Sequence, residues 1–138
     1  MKEWVIDTNA LISFITDRSP EQQKRISRLF EDAVRLKTVI LCPQNVITEF
    51  VYVLEKIYHL PKGQIGAIIY DLIALPGLKV VHEVDFELLL SYWPDRIRDY
   101  GDALVAAVCK AYRDSRVATF DRKLKSALQG VGLPVADF

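Results

Sequence analysis

The chain has 138 residues, with 18 basic against 18 acidic side chains, two cysteines and two histidines. A chain of this size buries roughly 68–70% of its unfolded surface, so it builds a core without metal or disulfide staples. At 51% hydrophobic and 26% charged residues, composition excludes disorder, and uncharged runs no longer than Thr38–Thr48 and Ser126–Ala136 exclude a membrane-spanning helix.

One domain over residues 1–138 is expected, with short β-rich runs alternating with helical patterns. Trp4-Val5-Ile6 reads as a first strand and Asn9 to Thr16 as a helix. Ser19-Pro20-Glu21-Gln22 is a helix start, with an N-cap, a proline in the first turn and a capping-box glutamine. Ile26, Leu29, Phe30, Ala33 and Val34 then recur at helical spacing. Thr38 to Cys42 is a second strand, stopped by Pro43, and Asn45 to Tyr58 a long helix. A further helix fills much of Lys62 to Leu75, before Pro76-Gly77. Leu78 to His82 is a third strand, followed by a helix beginning near Asp85. Asp102 to Tyr112 is helical, Arg116 to Thr119 a fourth strand, and Asp121 to Leu128 a last helix ended by Gly130 and Gly132. Pro134-Val135-Ala136 adds a short final strand. Cys42 and Cys109, without CxxC spacing and in apolar surroundings, read as buried free thiols. No signal peptide precedes the first strand, so the expected compartment is the cytoplasm.

Four carboxylates resist the default of a solvated face. Asp7 and Asp121 each lie just past a strand, where a parallel sheet directs side chains into a ligand crevice. Both can equally cap the helix that follows. Glu49 shares a helix face with Val46 and Val53, where a carboxylate is costly unless it meets a cation or reaches water. Asp102 opens the apolar run Asp102-Ala-Leu-Val-Ala-Ala-Val-Cys109, either as a first-turn acid favoured by the helix dipole or as an inward ligand. Asp99 is the more natural cap of that helix. The four acids can converge at one end of the sheet and would then need protons or cations, because unit charges 4 Å apart repel by about 4 kcal/mol at an effective dielectric near 20. Oxygen-only ligands suit Mg²⁺ or Mn²⁺ rather than zinc, and such an ion activates water for phosphodiester chemistry.

Val-Ile-Asp-Thr-Asn at 5–9, Glu49 on its helix, Asp102-Ala-Leu-Val-Ala-Ala at 102–107 and Thr-Phe-Asp at 119–121 resemble PIN-domain nucleases. Their order and spacing are similar to the compact VapC-type toxins of toxin–antitoxin pairs, over essentially the whole chain. The resemblance implies a three-layer α/β/α sandwich on a mostly parallel sheet and a Mg²⁺- or Mn²⁺-dependent endoribonuclease. It also implies Asp7, Glu49, Asp102 and Asp121 as the acidic catalytic and metal-binding set, supported by Thr8, Asn9 and Thr119. Asp99 falls outside the core pattern, as an accessory acid or a cap. The implied partners are an RNA substrate and a small antitoxin protein.

Arg116, Arg122, Lys123 and Lys125 against Asp121 leave residues 116–125 with three surplus positive charges. Of these, Arg122, Lys123 and Lys125 adjoin a candidate ligand and read as RNA-backbone contacts. The run Ile65-Gly-Ala-Ile-Ile-Tyr70 with Leu72-Ile73 is apolar around most of its helix. It is expected either to join two copies into a homodimer or to bury itself within one. An aspartyl-phosphate phosphatase would need a second Asp where Asn9 stands. A response-regulator receiver would need an Asp ending a middle strand, where Cys42-Pro43 and His82-Glu83 stand. An RNA-processing nuclease, or a PIN-like module that only binds RNA, is the remaining alternative.

Overall fold

A computed structural model describes residues 1–138 and shows four parallel strands in the order β3-β2-β1-β4. Strands β1 (Lys2–Ile6) and β2 (Thr38–Pro43) form its middle, and β3 (Leu78–Val81) and β4 (Ser115–Ala118) its edges. Val5, Ile6, Ile40, Leu41 and Cys42 are fully buried, the continuous apolar pattern of strands covered on both faces. Pro43 enters β2 as its last residue, opposite Val81, where the missing N–H does not interrupt an interior ladder.

Helices α1 (Thr8–Ile15) and α2 (Pro20–Val34) connect β1 to β2, and α3 (Gln44–Lys56) and α4 (Lys62–Ile73) connect β2 to β3. The chain then returns through α5 (Phe86–Tyr92) and α6 (Tyr100–Ala111) to β4 on the far side of β1, and ends with α7 (Arg122–Gly130). Because parallel crossovers are right-handed, this reversal of direction sends helices to both faces of the sheet. The resulting architecture is α/β, with a parallel sheet between helices, as the sequence predicts. Beyond α7 only Val135 makes an isolated parallel bridge, to Val117, in place of a full last strand.

Helix starts follow their caps. Ser19 accepts the Gln22 N–H at 3.3 Å with Pro20 behind it, but the capping box is not closed. The Gln22 side chain turns instead to accept the Ser13 hydroxyl at 2.8 Å. On α4, Ile65 and Leu72 are buried and Ile68 and Ile69 pack against the same core, because the helix lies on α3 and β3. These residues belong to the protein's own interior. The apolar side chains that α4 leaves exposed are Tyr70 and Ile73. Both cysteines are free and buried, and burial pushes the Cys42 thiol up to about 12.

Candidate active site

In a sheet ordered 3-2-1-4 the chain steps outward from β1 through β2 to β3, then crosses back to β4 on the other side of β1. The crevice between the carboxyl ends of β1 and β4 is therefore the natural ligand position. Asp7 emerges there from β1 and is only 5% exposed. Its Oδ1 accepts the Ala10 N–H at 2.9 Å and so caps α1, while its Oδ2 accepts the Thr119 hydroxyl. The same hydroxyl accepts the Asp121 N–H at 3.0 Å. Asp121 in turn caps α7, its Oδ1 taking the N–H groups of Lys123 at 2.9 Å and Leu124 at 3.2 Å. For both acids the capping role is real and compatible with a second one, since a cap engages chiefly one carboxylate oxygen.

Helix α6 brings the next pair. Asp99 is its N-cap, with Oδ1 accepting the Asp102 N–H at 2.9 Å. That leaves the Asp102 carboxyl, one turn into the helix, free to face the other acids. Across from it, Glu49 on α3 accepts the Thr8 hydroxyl at 3.1 Å. The helix-face pattern makes a carboxylate at Glu49 costly unless it meets a cation or reaches water, and the residue is exposed. The reason is local: this face of α3 borders an open cavity rather than packed side chains. Gly101 on α6 leaves room for the end of the Glu49 side chain. A Cβ there would stand 2.5 Å from Glu49 Oε1 and 3.2 Å from Asp99 Oδ1.

Asp7, Glu49, Asp102 and Asp121 thus line one cavity of about 240 Å³, with Thr8 and Asn9 at its wall and no histidine or cysteine. A wider groove of about 1020 Å³ shares Glu49, Asp102 and Asp121, continues past Asp99, and reaches Arg96, Arg98 and Lys123. Of the three basic residues singled out in the sequence, Lys123 lines this groove, whereas Arg122 and Lys125 line neither space. Arg96 and Arg98 are additions, as are Arg18 and Asn45 in the smaller cavity. The signal for the arginines was there: they flank buried Ile97 just before Asp99, so alternation sends both outward.

None of these acids has an ion-pair partner; the ion pairs of the chain join Glu55 to Lys56 and Lys62. Burial raises the Asp7 carboxyl from 3.8 to about 6, against the hydrogen bonds from Thr119 and Ala10, with the Asp121 charge adding to the rise. Asp102 rises from 3.8 to about 7, through burial first and then the charges of Asp99, Asp121, Asp7 and Glu49. The cluster is therefore short of positive charge. As placed, no three of its side chains already form a metal-ligating group.

The sequence model of the PIN domain matches residues 4–127. Three solved structures share the fold over most of their length. PAE2754 from Pyrobaculum aerophilum is 22% identical, covering 94% of this chain and 88% of its own, with a TM-score of 0.63. VapC20 from Mycobacterium tuberculosis, a Sarcin-Ricin loop cleaving toxin, is 15% identical over 98% of this chain and 99% of its own, with a TM-score of 0.70. The PIN domain endonuclease Utp24 is 18% identical over 98% and 96%, with a TM-score of 0.53. A search of curated proteins finds no match to this chain.

Proposed function

The chain belongs to the PIN-domain family, and on that premise we propose that it is a Mg²⁺- or Mn²⁺-dependent endoribonuclease. The observation that carries this reading is the unpaired acid cluster. Four carboxylates line one cavity, a fifth adjoins it, and no side-chain cation neutralises them. The donor set fits a hard divalent ion, because it offers only oxygens, and burial first, then the charges of Asp99, Asp121, Asp7 and Glu49, raise Asp102 to about 7.

Asp7, Glu49, Asp102 and Asp121 would hold the ion. When bound, it lowers the pKa of a water and offsets charge on the phosphate. The other residues prepare the acids. Thr119 holds Asp7 in place from the neighbouring strand, and Thr8 steers Glu49 toward the cavity. Asp102 must release its proton before it can serve as a ligand at neutral pH, so proton and metal compete there. Lys123, with Arg122 and Lys125 beside it on α7 and Arg96 and Arg98 along the groove, supplies the positive charge an RNA backbone needs next to an acidic centre.

The biological role we assign is the toxin of a type II toxin–antitoxin pair, acting in the cytoplasm, held by a small antitoxin protein and working as a homodimer. Its support is the end-to-end likeness to VapC20. Exposed Tyr52 and Ile57 on and after α3, with Tyr70 and Ile73 on α4, are apolar surface for such contacts to cover. The likeness to Utp24 supports a second reading, an RNA-processing nuclease without an antitoxin.

Total RNA incubated with the protein should be cut in Mn²⁺ or Mg²⁺, left intact in EDTA, and left intact by Asp7→Asn under any condition. Cleavage that persists in EDTA would remove the mechanism. Growth arrest on expression, relieved by a neighbouring short reading frame, separates the toxin from the processing enzyme.

A further inference from the structure

The acid cavity has a second wall that the acidic residues do not explain. Asn45, one helical turn before Glu49 on α3, lines it, and its amide Nδ2 is sealed from solvent with no hydrogen-bond partner. A buried donor in that state is a standing cost, which a turn of the Asn45 amide toward an acceptor in the cavity would relieve. Facing the same space is Arg18. Its Nη2 donates to Asn9 O at 2.8 Å, Asn9 Oδ1 at 2.9 Å and Ser13 Oγ at 2.8 Å, and its Nε to Ser13 Oγ at 3.0 Å. Ser13 passes the chain on to Gln22. The guanidinium is therefore locked against α1 without meeting a carboxylate, and its Nη1 makes no hydrogen bond within the chain. The bond to Asn9 Oδ1 also fixes that amide, leaving the Asn9 NH₂ as another unused donor.

The helix ends agree. Of the helices bordering this cavity, α1, α6 and α7 have their amino ends closed by Asp7, Asp99 and Asp121. Helix α3 begins at Pro43 with no side-chain cap, so its free N–H groups and positive dipole end lie beside Asn45. Unused amide donors, a guanidinium and an open helix end together suit an anion with several oxygens. We propose that Asn45 and Arg18 form an anion-holding wall that takes the non-bridging oxygens of a substrate phosphate opposite the carboxylates. The reaction served is the one assigned above, and the proposal rests on that reading for its substrate.

The test uses adenosine 5′-monophosphate, which carries a phosphate but no phosphodiester bond to cut. Its binding in Mn²⁺ is followed by calorimetry for wild type, Asn45→Leu and Arg18→Gln, with melts in EDTA and in Mn²⁺ alongside. Each variant should bind the nucleotide at least tenfold more weakly while keeping the wild-type Mn²⁺ thermal shift. Asn45→Leu should melt at or above wild type in EDTA, because it removes a buried donor with no partner, whereas a merely structural asparagine would lower the melt. Wild-type nucleotide affinity in both variants, or no nucleotide binding by wild type, overturns the proposal. If wild type cuts no RNA yet binds the nucleotide and the variants lose it, the nuclease reading falls and the anion wall stands. If metal-dependent cleavage and nucleotide binding are the same in all three proteins, the reverse holds.

Discussion

The Thr119 hydroxyl donates to Oδ2 of Asp7, a residue 112 positions earlier in the chain, and ties the end of β4 to the end of β1. Because it also accepts the Asp121 N–H, one side chain orders two of the acids. Thr119→Val keeps the volume but removes both bonds. It should destabilise the protein by about 1–3 kcal/mol at pH 8 and raise the Asp7 pKa beyond 6, since this bond is the foremost influence holding it down. Thr119→Ser should restore both properties. Melts across pH check this, and a Thr119→Val protein that melts as wild type would break the link.

Stability without metal should fall as pH rises. Asp7 and Asp102 have folded-state values near 6 and 7, above the ordinary 3.8, so the folded protein holds these protons more tightly than the unfolded chain. The stability they contribute is complete below about pH 4 and is lost as pH climbs through 6 and 7. In EDTA the protein should melt lower at pH 8 than at pH 5. The gain given by Mn²⁺ should run the other way, largest at pH 8 and fading toward pH 5, because protons displace the ion. A metal-free melt that rises between pH 5 and 8 contradicts the assignment.

Removing a charge from the cluster should strengthen the metal-free fold. Asp102→Asn should raise stability at pH 8 by on the order of 1–3 kcal/mol after solvent screening, and abolish both cleavage and the Mn²⁺ shift. Asp99→Asn separates cap from ligand. Asparagine caps α6 about as well, while the Asp99 charge is the foremost electrostatic cause of the Asp102 rise. This variant should cut RNA with its acid limb moved to lower pH. Complete loss of cleavage would make Asp99 a ligand.

Two glycines should behave oppositely. A Cβ on Gly77 would run into the backbone carbonyl of Ala33 at the end of α2, where nothing can rotate away. Gly77→Ala should therefore cost about 1–3 kcal/mol or more in stability. At Gly101 the obstruction is the far end of the Glu49 side chain. Gly101→Ala should barely move the melt but displace that carboxylate and depress cleavage, which paired melting and rate measurements would show.

Strand and helix positions were legible because burial imposes periodicity and caps impose residue types. Asp7, Asp85, Asp99 and Asp121 all cap the helices they precede. Convergence of the acids was only a possibility in the sequence, because alternation and helix length leave strand order open; the order β3-β2-β1-β4 is what sets the carboxyl ends of β1 and β4 side by side. Between the two readings left open for Glu49 the sequence could not choose, because a helical wheel reports which face turns inward, not whether that inner space is packed or open. Asn45 and Arg18 escaped notice for another reason. Asn45 follows Pro43-Gln44 and Arg18 stands in Thr16-Asp17-Arg18-Ser19, polar stretches in which no apolar pattern singles out one residue, and only coordinates reveal that Asn45 is left without a partner. Gln22 fitted a capping box locally, but Ser13, nine residues away, outcompeted the backbone for it.

Pairing β4 with β1 has a consequence for the order in which the acid cavity is completed. Asp7 is translated before its hydroxyl partner Thr119 and its neighbour Asp121, which arrive more than a hundred residues later. A nascent chain holding β1 to β3 can begin to fold while its acids are still incomplete. The cavity is completed only when the strand at 115–118 pairs with β1, so a translation product that stops short of that strand lacks both Thr119 and Asp121.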